Sequence, residues 1–114
     1  MPLDKFLAHV KAGDKVSFQD SIAVIAANYH YTPTRFVNGD VVNEAGTNEG
    51  SCKLFYFGKL HGLDLKQTLA LFGDYYWKDV LEHPDATNHA NIRSFMQQGW
   101  TGVAYEGEAL RKNA

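Results

Sequence analysis

Two hydrophobic periods alternate along the chain. Leu3, Phe6, Leu7 and Val10 recur every three or four residues, the spacing of one helical face, and Gly13 closes the segment. Ser17 with Asp20 three residues on has the form of a capping box, although Asp replaces the usual Glu or Gln. A second helix is expected there, with Phe18, Ile22, Ile25 and Tyr29 as its buried stripe and Pro33 as its breaker. The period then shortens. Asn38-Gly39 lies between short β-branched or aromatic runs, which predicts a type I′ hairpin with strands near residues 35–37 and 41–43. Two strands alone are marginal, so a third is expected, and "WTGVAYEG" with Trp100, Val103 and Tyr105 is the best match.

Three further helical segments carry their own punctuation. "SCKLFYFGKLHGL" is apolar nearly all round through Leu54, Phe55, Phe57 and Leu60, which predicts a buried central helix ended by Gly62. Asp64 and Gln67 form a second capping signature before Leu65, Leu69 and Phe72, and Asp74 restarts a helix with Tyr76, Val80 and Leu81 that ends at Pro84. Thr87 or Asn88 caps a last helix with Ile92, Phe95 and Met96 turned inward, stopped by Gly99. The expected fold is α+β: a mostly helical single domain over residues 1–114, with about five helices around residues 54–60 and a small antiparallel hairpin or three-stranded sheet.

Composition narrows the function classes. The 114 residues are 45% hydrophobic and 21% charged, the balance of a chain that folds around one core. Eleven Lys+Arg against thirteen Asp+Glu leave a net charge of -2, with the basic residues scattered, so a nucleic-acid partner is not expected. One cysteine makes no internal disulfide, which points to a reducing cytosol. The start of the chain reads as a packed helix, not a secretory leader, and no run has the length of a membrane span.

Candidate chemistry concentrates in "NEAGTNEGSC", residues 43–52. If a helix starts near residues 48–51, Cys52 lies in its first turn, where the dipole lowers a thiol pKa. His61 and His89 are the available bases, with Asn91 or Asp85 to orient them. His61, however, is nine residues along the same helix, roughly 13 Å away in the axial direction. A metal site would draw on His9, His30, His61, His83 and His89 with Glu44 or Glu49, but no paired Cys/His spacing or HExxH is present, and no metal or cofactor is expected. The third reading is a non-catalytic cleft where hairpin meets central helix. Asn43, Glu44, Asn48 and Glu49 would line its mouth, Tyr75, Tyr76, Trp77 and Trp100 its walls, and Arg93 would pair with Glu44 or Glu49 across it. Capping by Thr47 or Asn48, the dipole at Glu49 and backbone freedom at Gly46 and Gly50 account for the middle of the segment without a ligand.

The words "NEAGTNEGSCKLFYFGKLHGL", "FGDYYWKDVL", "HANIRSFMQQGW" and "FVNGD" together resemble the HopJ type III effector proteins, over nearly the whole chain. The family pattern more often has Arg where this chain has Trp77, so no anion-holding role passes to that position. The resemblance implies a bacterial protein delivered by a type III system into a host cell, and it brings no established reaction, cofactor or catalytic residue. The expectation is therefore a HopJ-like binding or interaction protein, acting on an unidentified small molecule or protein through the cleft near residues 43–52. The alternative is a small hydrolase-like thiol enzyme using Cys52, with His89 and Asn91.

Overall fold

The computed structural model describes residues 2–113. Helices α1 (Leu3–Lys11) and α2 (Phe18–Asn28) lead into strand β1 (Tyr29–Tyr31), then the hairpin β2 (Phe36–Asn38) and β3 (Val41–Asn43). Helices α3 (Glu49–Leu60) and α4 (Leu65–Ala70) follow, then a π-helix (Tyr75–Val80) and α5 (Ala90–Gln98). A 3-10 turn (Gly99–Gly102) leads to β4 (Val103–Tyr105) and β5 (Leu110–Lys112). Strands run in the order β3-β2-β4 in one antiparallel sheet, while β1 and β5 form a separate antiparallel pair. The α+β fold and the third strand at Val103–Tyr105 agree with the sequence reading.

Local chemistry explains where the elements begin. Both expected capping boxes form: the Asp20 amide donates to Ser17 Oγ at 3.0 Å and the Ser17 amide to Asp20 Oδ2 at 3.4 Å. At the start of α4 the Gln67 amide donates to Asp64 Oδ1 at 2.7 Å and the Asp64 amide to Gln67 Oε1 at 3.0 Å. The hairpin turn differs from expectation. Asn38 pairs with Val41, so Gly39 and Asp40 form the two-residue loop, and only Gly39 has positive φ (59°), the φ pattern of a type II′ turn instead of I′. Asn38 is thereby a strand residue, and its fully buried side chain faces α5.

Helix α3 is the centre of the core. Leu54, Phe55 and Phe57 are fully buried, and Phe55 meets Phe95 at 4.8 Å and Phe72 at 5.2 Å between ring centroids. Each such side chain contributes about 1.5–3 kcal/mol of apolar burial. Three residues expected inside lie on the surface instead: Leu60, Leu81 and Met96 are 47%, 43% and 37% exposed. A helical step of about 100° puts Leu60 on the side of Lys53 and Tyr56, away from the core. The segment after Gly73 is a π-helix, whose wider turn changes which residues share a face; Tyr76 and Val80 stay buried and Leu81 is left outside. On α2 the buried line is Ser21, Val24 and Ile25, with Phe18 and Ile22 at its margin, because Ser21 Oγ donates to Leu71 O at 2.8 Å. Strands β1 and β5 had no three-residue signal strong enough to see. No helix among the described residues is long and apolar enough to cross a membrane.

Candidate functional site

Two helix starts meet on one side of the molecule, and neither carries the cap its sequence suggests. The residue before α3, Asn48, sits in the left-handed region (φ 49°, ψ 47°), and so does His89 before α5 (φ 54°, ψ 51°). These are the only non-glycine residues with positive φ among those described. Neither side chain caps its helix. Asn48 Nδ2 donates to Asn43 Oδ1 at 2.7 Å, and His89 Nε2 lies 3.0 Å from Asp79 Oδ2. Thr47, Asn88 and Asp74 do not cap either; Thr47 Oγ1 donates to Glu44 O, and the Asn88 oxygens accept from Arg93. The first intrahelical bonds come from Cys52 N to Asn48 O and from Arg93 N to His89 O, so the amides of the three residues before each have no protein acceptor.

Between these helix starts lies a cleft of about 450 Å³. Asn48, Gly50 and Ser51 line one side and His89, Ala90, Asn91 and Ile92 the other, with Val41, Phe18, Phe72 and Tyr75 completing the walls. Phe18 packs edge-on to Tyr75 at 5.1 Å, and Tyr75 lies 5.3 Å from the His89 ring, so a row of aromatic groups runs along the wall. Gly50 is needed for this space: a Cβ there would come within 2.9 Å of Phe18 Cζ.

Behind the cleft, four asparagines lock hairpin to helix starts. Asn91 Nδ2 donates to Asn43 Oδ1 at 2.8 Å, while Asn91 Oδ1 accepts from Asn43 Nδ2 at 3.1 Å and Asn38 Nδ2 at 3.2 Å. Asn38 Nδ2 also donates to Asn91 O at 2.8 Å, and Asn48 completes the set through Asn43 Oδ1. Asn38 and Asn43 are fully buried, so each lost bond there would leave a polar group away from water. The Asn38 member escaped the sequence reading because Asn-Gly was assigned wholly to the turn.

The structure gathers some of the expected site residues and disperses others. Asn48, Asn91, His89 and Tyr75 reach the cleft, with Asn43 directly behind. Glu44 turns away to Arg35, which also pairs with Glu106. Arg93 pairs with neither Glu44 nor Glu49. Its guanidinium instead collects the carbonyls of Asp79, His83, Pro84 and Asn88, which fixes the loop that delivers His89. Tyr76 is buried in the core, and Trp100 donates from Nε1 to Leu63 O on a different face, beside Gly58 and Val103. Ser51, Phe18, Phe72 and Asp79 are additions that no local motif marked; Ser51 had only its place beside the conspicuous cysteine.

Cys52 is 1% exposed, and its Sγ lies 3.6 Å from Thr34 O. Burial pushes its pKa up, with Glu49 adding to the rise, which reverses the expected lowering at a helix start. The reason is one residue of helix: the step from Ser51 to Cys52 turns the side chain from cleft to core. Neither His61 nor His89 is a partner of the thiol; His61 Nε2 is 2.6 Å from Tyr29 OH. Among the described residues no three His, Cys, Asp or Glu side chains converge as a metal site would require.

His61 gives the protein a predicted pH response. Burial lowers its pKa from the ordinary 6.5, and the nearby Lys11 and Lys112 lower it further. The unfolded chain therefore binds this proton more readily than the folded chain, and stability falls as pH drops below about 6.5 toward the lowered value. His61→Gln should flatten the part of the melting profile between about pH 7 and 5 that this group contributes. An unchanged slope would remove His61 as its source.

The comparisons extend these observations. The family model described as HopJ type III effector protein matches residues 3–110. The chain is also similar to a solved structure described as "Crystal structure of unknown function protein VPA0580", with 46% sequence identity and a TM-score of 0.97 over 99% of this chain and 95% of that one. No curated protein matches. With a match that runs from the first helix into the last strand, this chain belongs to the HopJ type III effector protein family.

Proposed function

We propose that the protein works by binding, and that its binding site is the cleft between the starts of α3 and α5. One observation carries this reading: both left-handed non-glycine residues, Asn48 and His89, and the π-helix that supplies Tyr75 and Asp79 border the same cleft. Such backbone conformations cost on the order of 1 kcal/mol each and tend to persist where a site uses them. The volume, apolar walls and small number of polar groups suit a small molecule or a partner's side chain. Membership in the family supports an effector-like role, and its name is consistent with passage through a type III secretion system. Action in the bacterial cytosol or in a host cell would use the same cleft.

A fragment screen followed by amide chemical shifts tests the proposal. Hits should perturb Gly50, Ser51, Tyr75 and residues 89–92 together. Fragments that collect instead in the groove of Val80, Leu81 and Met96, with the cleft silent, would overturn it. The thiol alternative has less support, because Cys52 has neither exposure nor a basic partner.

A further inference from the structure

We infer that Asn38 is a site of spontaneous deamidation gated by the fold: its amide is lost to the backbone nitrogen of Gly39 when the hairpin leaves α5, and the acid that results does not fit back into its place. Asn38-Gly39 is the one Asn-Gly pair in the chain; after Asn28, Asn43, Asn48, Asn88, Asn91 and Asn113 the next residue carries a side chain. That difference decides where the chemistry falls, since the following nitrogen must reach the asparagine Cγ and glycine leaves the approach open. Gly39 N gives its proton to solvent and bonds to Asn38 Cγ, and Nδ2 takes up a proton and departs as ammonia. Water then opens the five-membered imide. Opening at Cγ leaves aspartate, and opening at the main-chain carbonyl carbon leaves isoaspartate, with one more carbon in the backbone path.

In the folded chain every participant is held. The Gly39 amide donates to Gly102 O at 2.8 Å, so the attacking nitrogen keeps its proton. Asn38 O accepts from Ser94 Oγ at 2.7 Å, and Asn38 Nδ2 donates to Asn91 O at 2.8 Å and Asn91 Oδ1 at 3.2 Å, which fixes both ends of the residue on α5. The turn is covered as well: a Cβ on Gly39 would run into Ser94 Oγ and the Gln98 amide, and one on Gly102 would come within 3.0 Å of Gly39 N. Asn38 is fully buried, so the water that opens the imide is excluded too. Reaction therefore waits on opening. The product then lacks its site. An aspartate at position 38 has no donor for Asn91 and sets a charge against two acceptors, Asn91 O and Asn91 Oδ1. No protein donor meets even the present Asn38 Oδ1. Isoaspartate also breaks the register of Asn38 against Val41.

The test incubates the intact chain in mildly alkaline buffer, folded and in denaturing urea, and follows each asparagine by peptide mapping with mass spectrometry. In urea Asn38 should convert first, to a mixture of aspartate and isoaspartate. In the folded chain it should convert at least about a hundredfold more slowly, because opening precedes reaction. Ser94→Ala should speed the folded reaction about fivefold, the share of one net hydrogen bond, and leave the rate in urea unchanged. If that variant does not fold, the comparison on the unaltered chain still decides. Chain deamidated in urea and then refolded should show a lower denaturation midpoint and altered amide shifts at Asn91 and Ser94. Equal rates in folded and unfolded chain would overturn the gate. Slow conversion of Asn38 in urea, or a deamidated chain that refolds with an unchanged midpoint, would overturn the inference as a whole.

Discussion

Asn43→Ala should destabilise the protein by about 3 kcal/mol, because buried polar groups left without partners cost about 1–3 kcal/mol each. Asn43 Oδ1 accepts from both Asn48 Nδ2 and Asn91 Nδ2, and its own Nδ2 serves Asn91 Oδ1. Asn91 is 6% exposed, so its stranded amide would have little access to water. Chemical denaturation would show the loss as a lower midpoint, and thermal melting as a fall on the order of 10 °C. Asn43→Asp makes the sign specific. It keeps the acceptor but buries a carboxylate with no cation in the network, so its folded pKa should rise above the unfolded value. That variant should be weakest at neutral pH and recover as pH falls and the carboxyl group regains a proton. A loss under about 0.5 kcal/mol for Asn43→Ala, the scale of an ordinary surface change, would show that the asparagine cluster does not hold the hairpin against α5.

Cys52 in the folded chain should react with iodoacetamide at least about a hundredfold more slowly than in the unfolded chain, because reaction waits on local opening. Its side chain is 1% exposed, and burial raises its pKa, so thiolate is scarce as well as inaccessible. Mild alkaline conditions should not bring the rate up as they do for a free thiol. Cys52→Ala should leave ligand binding in the cleft within a few-fold, since Ser51 and not Cys52 lines it. Rapid alkylation at neutral pH would instead revive the thiol enzyme.

Much of the fold was legible because its signals are local. Ser17 with Asp20, and Asp64 with Gln67, specify helix starts through contacts three residues apart, and both formed as read. The strand Val41–Asn43 was found from the Asn38-Gly39 signal between β-branched or aromatic runs, and Val103–Tyr105, which pairs with Phe36–Asn38, from an imperfect alternation. What escaped depends on distant partners. Asn48 was read as a cap because its type suits one, yet the buried Asn43 oxygen claims its amide and the backbone enters the left-handed region. Arg93 was read as a cross-cleft ion pair, whereas the carbonyls of the preceding loop offer it more hydrogen bonds. The segment at residues 43–52 was correctly singled out, but its cysteine drew attention from Ser51. The difference between them is a turn of 100°, decided by what packs against α3.

The most direct test of the binding claim is to block the cleft and leave the fold alone. Gly50 lies in the first turn of α3 without positive φ, so its backbone accepts a side chain, and the Phe18 ring, which a Cβ there would approach to 2.9 Å, must shift to make room for it. For Gly50→Leu, titration with fragments that bind the unaltered chain should show affinity reduced by more than about tenfold, the loss expected when apolar contacts in a pocket are displaced. Amide shifts should change around Gly50, Phe18 and Tyr75, while those around Phe57 and Leu110 stay unchanged. Undiminished affinity in a folded Gly50→Leu chain would contradict the account and place the site elsewhere.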